Sequence, residues 1–198
     1  MEYVPFEPGI EVNGQTVYAI VDGFRGFTLM ASEYLLKAGV GVPGPDKMVK
    51  IDPEAWYPQA AWLEAFKNIG GTVGDAVLFQ IGLAIPRNAK FPPWVNDVHT
   101  AVKSIDVAYH MNHRKDGKEL FDPATGELRE GIGHYGYTRT GDRGITAVCP
   151  NPYPCAFDRG IITAMAQRFE RRAVVKHVES QPCRKRGAMS CTYEVSWS

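Results

Sequence analysis

Apolar residues recur at spacings of three and four along the first half of the chain, and the second half switches to shorter, alternating patterns. Val17, Ile20, Val21, Phe24, Phe27, Ala31, Tyr34, Leu35 and Ala38 fall on one helical face, with Gly39 placed as the C-cap. Gly23 and Gly26 inside this run mark either close helix packing or a break. Asp52-Pro53-Glu54 has the makings of a helix start: a capping carboxylate, a proline in the first turn and an acid near the positive end. The helix predicted after it carries Trp56, Ala60, Leu63, Phe66 and Ile69 and stops at Gly70-Gly71. Thr72 is placed to cap a third helix bearing Val73, Val77, Ile81 and Leu83. A fourth begins at Pro92-Pro93, with Trp94, Val98, Val102, Ile105 and Tyr109 on one stripe, and ends near His110 to His113.

Beyond residue 113 the pattern is β-rich. Asp122-Pro-Ala-Thr-Gly126 reads as a hairpin turn, and Gly141-Asp-Arg-Gly144 joins 134–140 to 144–149 as another. Asp158 is placed to cap a helix carrying Ile161, Ile162, Met165 and Phe169. Two strands close the chain, 173–179 and 191–197. The expected fold is α+β: four N-terminal helices packed on an antiparallel sheet formed by two hairpins flanking a fifth helix. Residues 1–14 read as an N-terminal arm, and 15–198 as a single domain, with no internal repeat and no linker.

The totals narrow the function. The 22 basic and 22 acidic residues cancel, which gives no reason to expect nucleic acid or an anionic membrane as partner. Arg184-Lys185-Arg186 is the compact basic cluster and reads as solvated turn charge. No secretory leader and no membrane-spanning run of apolar residues is apparent, so the expected location is the cytoplasm. There thiols stay reduced, and all four cysteines (Cys149, Cys155, Cys183 and Cys191) fall in the last third of the chain. By spacing alone they are open to three readings: a tetrahedral metal site, a redox pair, or small buried hydrophobes. Glu179 and His177 approach Cys183 as further candidate ligands. No phosphate loop, nucleophile elbow or HExxH helix is present, and no nucleophile has a plausible activator. A binding module is therefore expected in preference to an enzyme.

Pro154-Cys155-Ala-Phe-Asp, the helix to Phe169, and Val178-Glu179 … Cys183-Arg-Lys-Arg-Gly187 … Ser190-Cys191-Thr-Tyr-Glu-Val resemble the 4-vinyl reductase domain. That family is related in fold to haem-NO-binding and TRAPP-type domains. It includes sensor domains of aromatic-responsive bacterial activators and proteins linked to bacteriochlorophyll synthesis. The resemblance is specific over about residues 145–197 and loose over 15–113. It implies a zinc held by three cysteines and a glutamate. Cys155, Cys183 and Cys191 fall on the cysteine positions; Glu179 is displaced by about a residue, and Cys149 is an additional thiol. Either stands as the fourth ligand. The resemblance further implies an apolar pocket for a small hydrophobic or aromatic ligand between helices and sheet, with Trp94, His99 and Tyr109 as candidate orienting groups. Output is expected through a separate protein or through a homodimer.

A second resemblance is to the haem-NO-binding domain itself. Pro93-Trp-Val-Asn-Asp-Val-His99 is similar to its haem-ligand helix, and Tyr135-Gly-Tyr137-Thr-Arg139 to its propionate-binding Tyr-x-Ser-x-Arg motif. It implies, as the alternative function, a haem-based gas sensor using His99, Tyr135 and Arg139. Tyr137 departs from the motif, and the separation from His99 to Tyr135 is longer than in that family. A further alternative, from the first family, is an enzyme or accessory factor of tetrapyrrole metabolism.

Overall fold

The computed structural model describes residues 1–198, apart from the side chains of Arg25 and Asn88. The chain opens with strand β1 (Ile10–Asn13), which turns directly into α1 (Gly14–Gly23) because the Asn13 side chain accepts from the Gln15 N–H. A 3-10 turn at Arg25–Phe27 separates α1 from α2 (Thr28–Lys37). The predicted single helix over 17–38 is thus two helices that share one buried face: Val17, Ile20, Phe24, Ala31 and Leu35 are all buried.

A small ribbon, β2 (Val42–Pro43) with β3 (Val49–Lys50), follows. The helix start expected at Asp52 is not one. The Asp52 carboxylate accepts from the Glu54 N–H within a turn, and Trp56 lies in strand β4 (Trp56–Pro58), paired with β1. Helix α3 then runs Gln59–Ala84 through Gly70-Gly71, where a stop was expected, and bends at Gly74, whose φ is 77°. Glycine tolerates that left-handed angle without a Cβ clash, so the break falls there. Counting the 3-10 turn to Arg87, this is the one helix among the described residues that is long and apolar enough to cross a membrane. In the fold it is the central helix, and Trp62, Leu63, Phe66 and Ile69 are fully buried within the domain.

Helix α4 (Val98–Met111) starts on a capping box, with Asp97 and Thr100 satisfying one another's backbone N–H groups. It leads into the hairpin of β5 (His113–Lys115) and β6 (Lys118–Glu119). These strands complete a sheet in the order β4-β1-β5-β6, a second sheet that the hydrophobic pattern did not announce. The expected sheet is present as well. Strands β7 (Thr138–Gly141) and β8 (Gly144–Cys149) form a hairpin, α5 (Cys155–Gln167) follows, and β9 (Val174–His177) and β10 (Cys191–Ser196) close it antiparallel in the order β7-β8-β10-β9. The fold is thus mixed α+β, with five α-helices and antiparallel sheets.

Helix α5 carries much of the chemistry, and two glycines fix its depth. A Cβ built on Gly82 of α3 would lie 2.2 Å from the Phe157 carbonyl oxygen; one on Gly160 of α5 would lie 2.3 Å from that of Phe79. The two backbones therefore cross at a distance only glycine allows. The N-terminal arm packs against the same helix: the Tyr3 N–H donates to the Pro152 carbonyl, and the Glu2 carboxylate accepts from the Cys155 N–H at 2.7 Å.

Candidate functional site

Four chain ends meet at the open end of this sheet. Cys155 begins α5, His177 ends β9, Cys191 begins β10, and Cys183 precedes a 3-10 turn that Gly187 (φ 88°) folds back. Their ligand atoms all lie within 4.8 Å of one another. The sulfur of Cys183 is 3.6 Å from that of Cys155 and 3.8 Å from that of Cys191. A tetrahedral zinc with thiolates at its usual bond length sets sulfurs about 3.8 Å apart. The neighbouring Cys155 thiol and then the Arg184 guanidinium hold the pKa of the Cys191 thiol below its ordinary value. The Cys191 sulfur, burial and the Glu2 carboxylate, to which the Cys155 thiol donates at 2.8 Å, push the Cys155 thiol up.

The fourth member of the cluster is His177. Its Nδ1 is 2.9 Å from the Glu179 carboxylate, so Nδ1 carries the proton and Nε2 is a bare acceptor. That Nε2 is buried without a hydrogen-bond partner among the described residues. Glu179 corrects to an outer position: its side chain is 76% exposed, and it holds His177 and pairs with Arg186. A carboxylate on the far ring nitrogen is the arrangement that orients metal-binding imidazoles. Cys149 is corrected too. It sits fully buried on β8 opposite Cys191 and is no member of the cluster, and burial raises its thiol well above the ordinary value. It is a small hydrophobe of the core.

Behind the cluster lies a buried ion pair. Arg184 and Asp158 both have fully inaccessible side chains and are in direct contact. The Arg184 guanidinium also donates to the Asn151 carbonyl at 2.5 Å and faces the Cys191 sulfur at 3.5 Å. Asp158, expected as a helix cap, accepts instead from Tyr135 at 2.5 Å and from Asn151 at 3.1 Å. Arg184 was read as solvated turn charge and is among the largest fully buried side chains.

Tyr135 connects this pair to an apolar cavity of about 150 Å³ lined by α1, α4, α5 and the segment after α3. Tyr109, Tyr135, Tyr153, His113 and Ser104 are polar residues of its lining, joined at the wall by Thr16 and Asn112. The first five have their protons committed to the protein. Tyr109 donates to the Ile132 carbonyl at 2.7 Å, Ser104 to the Ala101 carbonyl at 2.7 Å, and Tyr135 to Asp158. His113 Nδ1 is 2.7 Å from the Tyr109 carbonyl and therefore carries the proton; its Nε2 accepts from Tyr153 at 3.1 Å.

Burial lowers the pKa of His113 to about 4, so the ring is neutral in the fold. Because the folded value lies below the unfolded one near 6.5, the unfolded chain binds the extra proton first. The stabilisation is complete above pH 6.5 and is lost as pH falls towards 4, amounting to about 3 kcal/mol. Urea titrations across that range should show the slope, and His113→Gln should flatten it.

Of the sequence candidates for the cavity, Tyr109 lines it and the others do not. Trp94 is 45% exposed, and His99 lies outside the lining. His99 Nε2 is 3.1 Å from the Asp142 carbonyl, its Nδ1 is 3.0 Å from the Tyr137 hydroxyl, and Trp197 packs edge-on against it. Both nitrogens are engaged. Tyr135 points inward to Asp158, while Arg139 pairs with Asp142 on the exposed hairpin turn. His99, Tyr135 and Arg139 therefore do not converge on one cavity, and the three residues as they stand do not fit a haem. His113, which the stripe of apolar positions on α4 does not single out, is the histidine at the cavity wall.

No protein-family model matches the chain, and no curated protein matches it. Solved structures do, at the level of fold. A structure from a study of haem distortion in the H-NOX family superposes with a TM-score of 0.63 at 12% identity, covering 94% of this chain and 95% of that one. An H-NOX protein from S. oneidensis in the Fe(II)NO ligation state gives 0.59 at 14% identity, covering 94% and 99%. An oxygen-binding H-NOX domain related to soluble guanylate cyclases gives 0.60 at 14%, covering 93% and 94%. The chain has the fold of these haem-NO/oxygen-binding domains over nearly its whole length.

Proposed function

We propose that the chain is a small-molecule sensor module: its apolar cavity takes a single-ring aromatic or similarly small hydrophobic ligand, and Cys155, His177, Cys183 and Cys191 hold a structural zinc. The observation that carries the reading is the cavity itself. Its volume of about 150 Å³ matches a benzene-sized guest, and its wall is largely apolar, with the Tyr109 and Tyr135 protons already donated inward. Lone pairs remain on those oxygens, so a guest bearing one hydrogen-bond donor, as a phenol does, is favoured. The resemblance of residues 145–197 to 4-vinyl reductase domains supports the same assignment, with His177 replacing the expected glutamate. Output would pass to a separate protein or through a second copy of the chain.

A haem-based gas sensor is the second reading, favoured by the fold shared with the H-NOX structures. A porphyrin sets four pyrrole rings in one plane, and the cavity has room for about one such ring. Holding haem would require the wall formed by α4 and α5 to open and His113, the histidine at that wall, to give up the Tyr153 hydroxyl at its Nε2.

Two measurements separate the readings. Phenol or toluene should raise the melting temperature saturably, by about 5–10 °C at a hundred times its dissociation constant. Haemin should leave no Soret band after gel filtration. A persistent Soret band that disappears in His113→Ala, with no response to either aromatic, would overturn the proposal in favour of haem.

A further inference from the structure

We propose that Asp106, His110 and His134 form a second metal-binding site, for a divalent first-row transition-metal ion, distinct from the cysteine cluster. The three residues come from α4 and from the segment preceding β7, and their ligand atoms lie within 4.8 Å of one another. Asp106 and His110 are one turn apart on the same helix face.

The hydrogen bonds around them fix which atoms are free. His110 is fully buried, and its Nδ1 lies 2.8 Å from the Asp106 backbone carbonyl, which only accepts. The proton is therefore on Nδ1, and Nε2 is an unprotonated acceptor buried with no partner among the described residues. Leaving such an atom unsatisfied is costly, and a cation satisfies it. His134 is arranged the other way round. Its Nε2 faces the Glu130 carboxylate at 3.1 Å and its Nδ1 faces Asp106 Oδ2 at 3.0 Å. The remaining oxygen of Asp106 accepts from the Tyr135 N–H at 2.8 Å, which holds the carboxylate in place.

His134 thus has one nitrogen anchored by the Glu130 carboxylate and the other on Asp106, the outer-shell pattern of metal-binding histidines, and the His110 ring, with its unpartnered Nε2, lies beside it at 5.0 Å between ring centroids. Two imidazoles and one carboxylate suit zinc or iron(II) and leave positions for water. Binding displaces the proton shared between His134 and Asp106, which leaves to solvent, and ties the end of α4 to the segment that delivers Tyr135 to the cavity.

Cobalt(II) is the probe that tells the two sites apart. The untagged chain should take up two equivalents. One gives thiolate-to-metal charge-transfer absorption, and the other gives weak ligand-field bands alone. Glu130→Gln, a change at an exposed side chain, should weaken the second equivalent about 10–100-fold, with the thiolate band unchanged. His134→Ala should abolish it. Calorimetry with zinc should reproduce both losses. The proposal is overturned if no ion binds outside the thiolate band, or if the second equivalent survives His134→Ala at full affinity. Loss of the thiolate band alone would sink the cysteine site and leave this one standing.

Discussion

Stripping the metal from Cys155, His177, Cys183 and Cys191 should lower the melting temperature by on the order of 10 °C, and restoring zinc should reverse the loss. In zinc-finger peptides the binding free energy is folding free energy, about 10–16 kcal/mol. This chain has a large core besides, so the expected loss is about 3–5 kcal/mol, and each kcal/mol shifts the melting point of a domain this size by about 2–4 °C. The clamp joins the start of α5 to both strands of the closing pair, and without it three thiols and a buried bare imidazole nitrogen are left facing one another. Scanning calorimetry before and after chelation measures the effect. Variants sharpen it: His177→Ala should lose the metal, Glu179→Gln should weaken it about 10–100-fold, and Cys149→Ala should retain it. An unchanged melting point with the thiols of Cys155, Cys183 and Cys191 freely titratable in the folded chain would contradict the clamp.

Arg184→Met should cost about 3–5 kcal/mol, since it strands the Asp158 carboxylate in the core without its counter-charge. The pair itself is not worth that much. Asp158→Asn combined with Arg184→Met removes both charges and should recover a large part of the loss, so the two changes will be strongly non-additive in a urea-denaturation cycle. Burial already pushes the Asp158 carboxyl up, with Arg184 and Tyr135 opposing. In the single variant that opposition weakens, so its deficit should shrink as pH falls and Asp158 takes up a proton. Additive single effects, or a deficit that grows in acid, would show that the pair is not the buried charge system described.

What the sequence conveyed depended on how local the determining interaction was. The apolar stripes of α4 and α5 were legible because each helix buries one face, and the antiparallel closing sheet followed from alternating residues and glycine turns. The helix count came out right for compensating reasons. One predicted helix divides at Arg25–Phe27, and two predicted helices fuse through Gly70-Gly71 because the left-handed residue is Gly74. Glycine pairs announce a break only where the chain needs a positive φ. Trp56 sits on β4 because β1 offers it a partner strand, a pairing across more than forty residues of sequence that no local pattern reports.

The cysteine cluster was half legible. The meeting of Cys155, Cys183 and Cys191 was expected from the matched positions, while the presence of His177 in place of Glu179 beside them was not. Alternation in a strand places residues two apart on one face, and only the end of β9 at His177 decides which of them turns inward. Asp158 and Arg184 read as a cap and a solvated turn because ordinary charges near helix starts and glycines are just that. Their burial is a property of the assembled fold. The Asp106–His110 spacing on α4 was available in the sequence as a signal for the second cluster; its third member, His134, was not.

The central claim, a one-ring ligand in the cavity between α1, α4 and α5, is tested most directly by isothermal titration of phenol into the wild-type chain and into Ala108→Phe. Ala108 lines the cavity at its accessible edge, and the larger ring fills the space with little disturbance of α4. The account predicts one saturable site in the wild type and at least about tenfold weaker binding in the variant, whose melting transition stays cooperative. Equal affinity in both proteins, or no binding to the wild type, would contradict it.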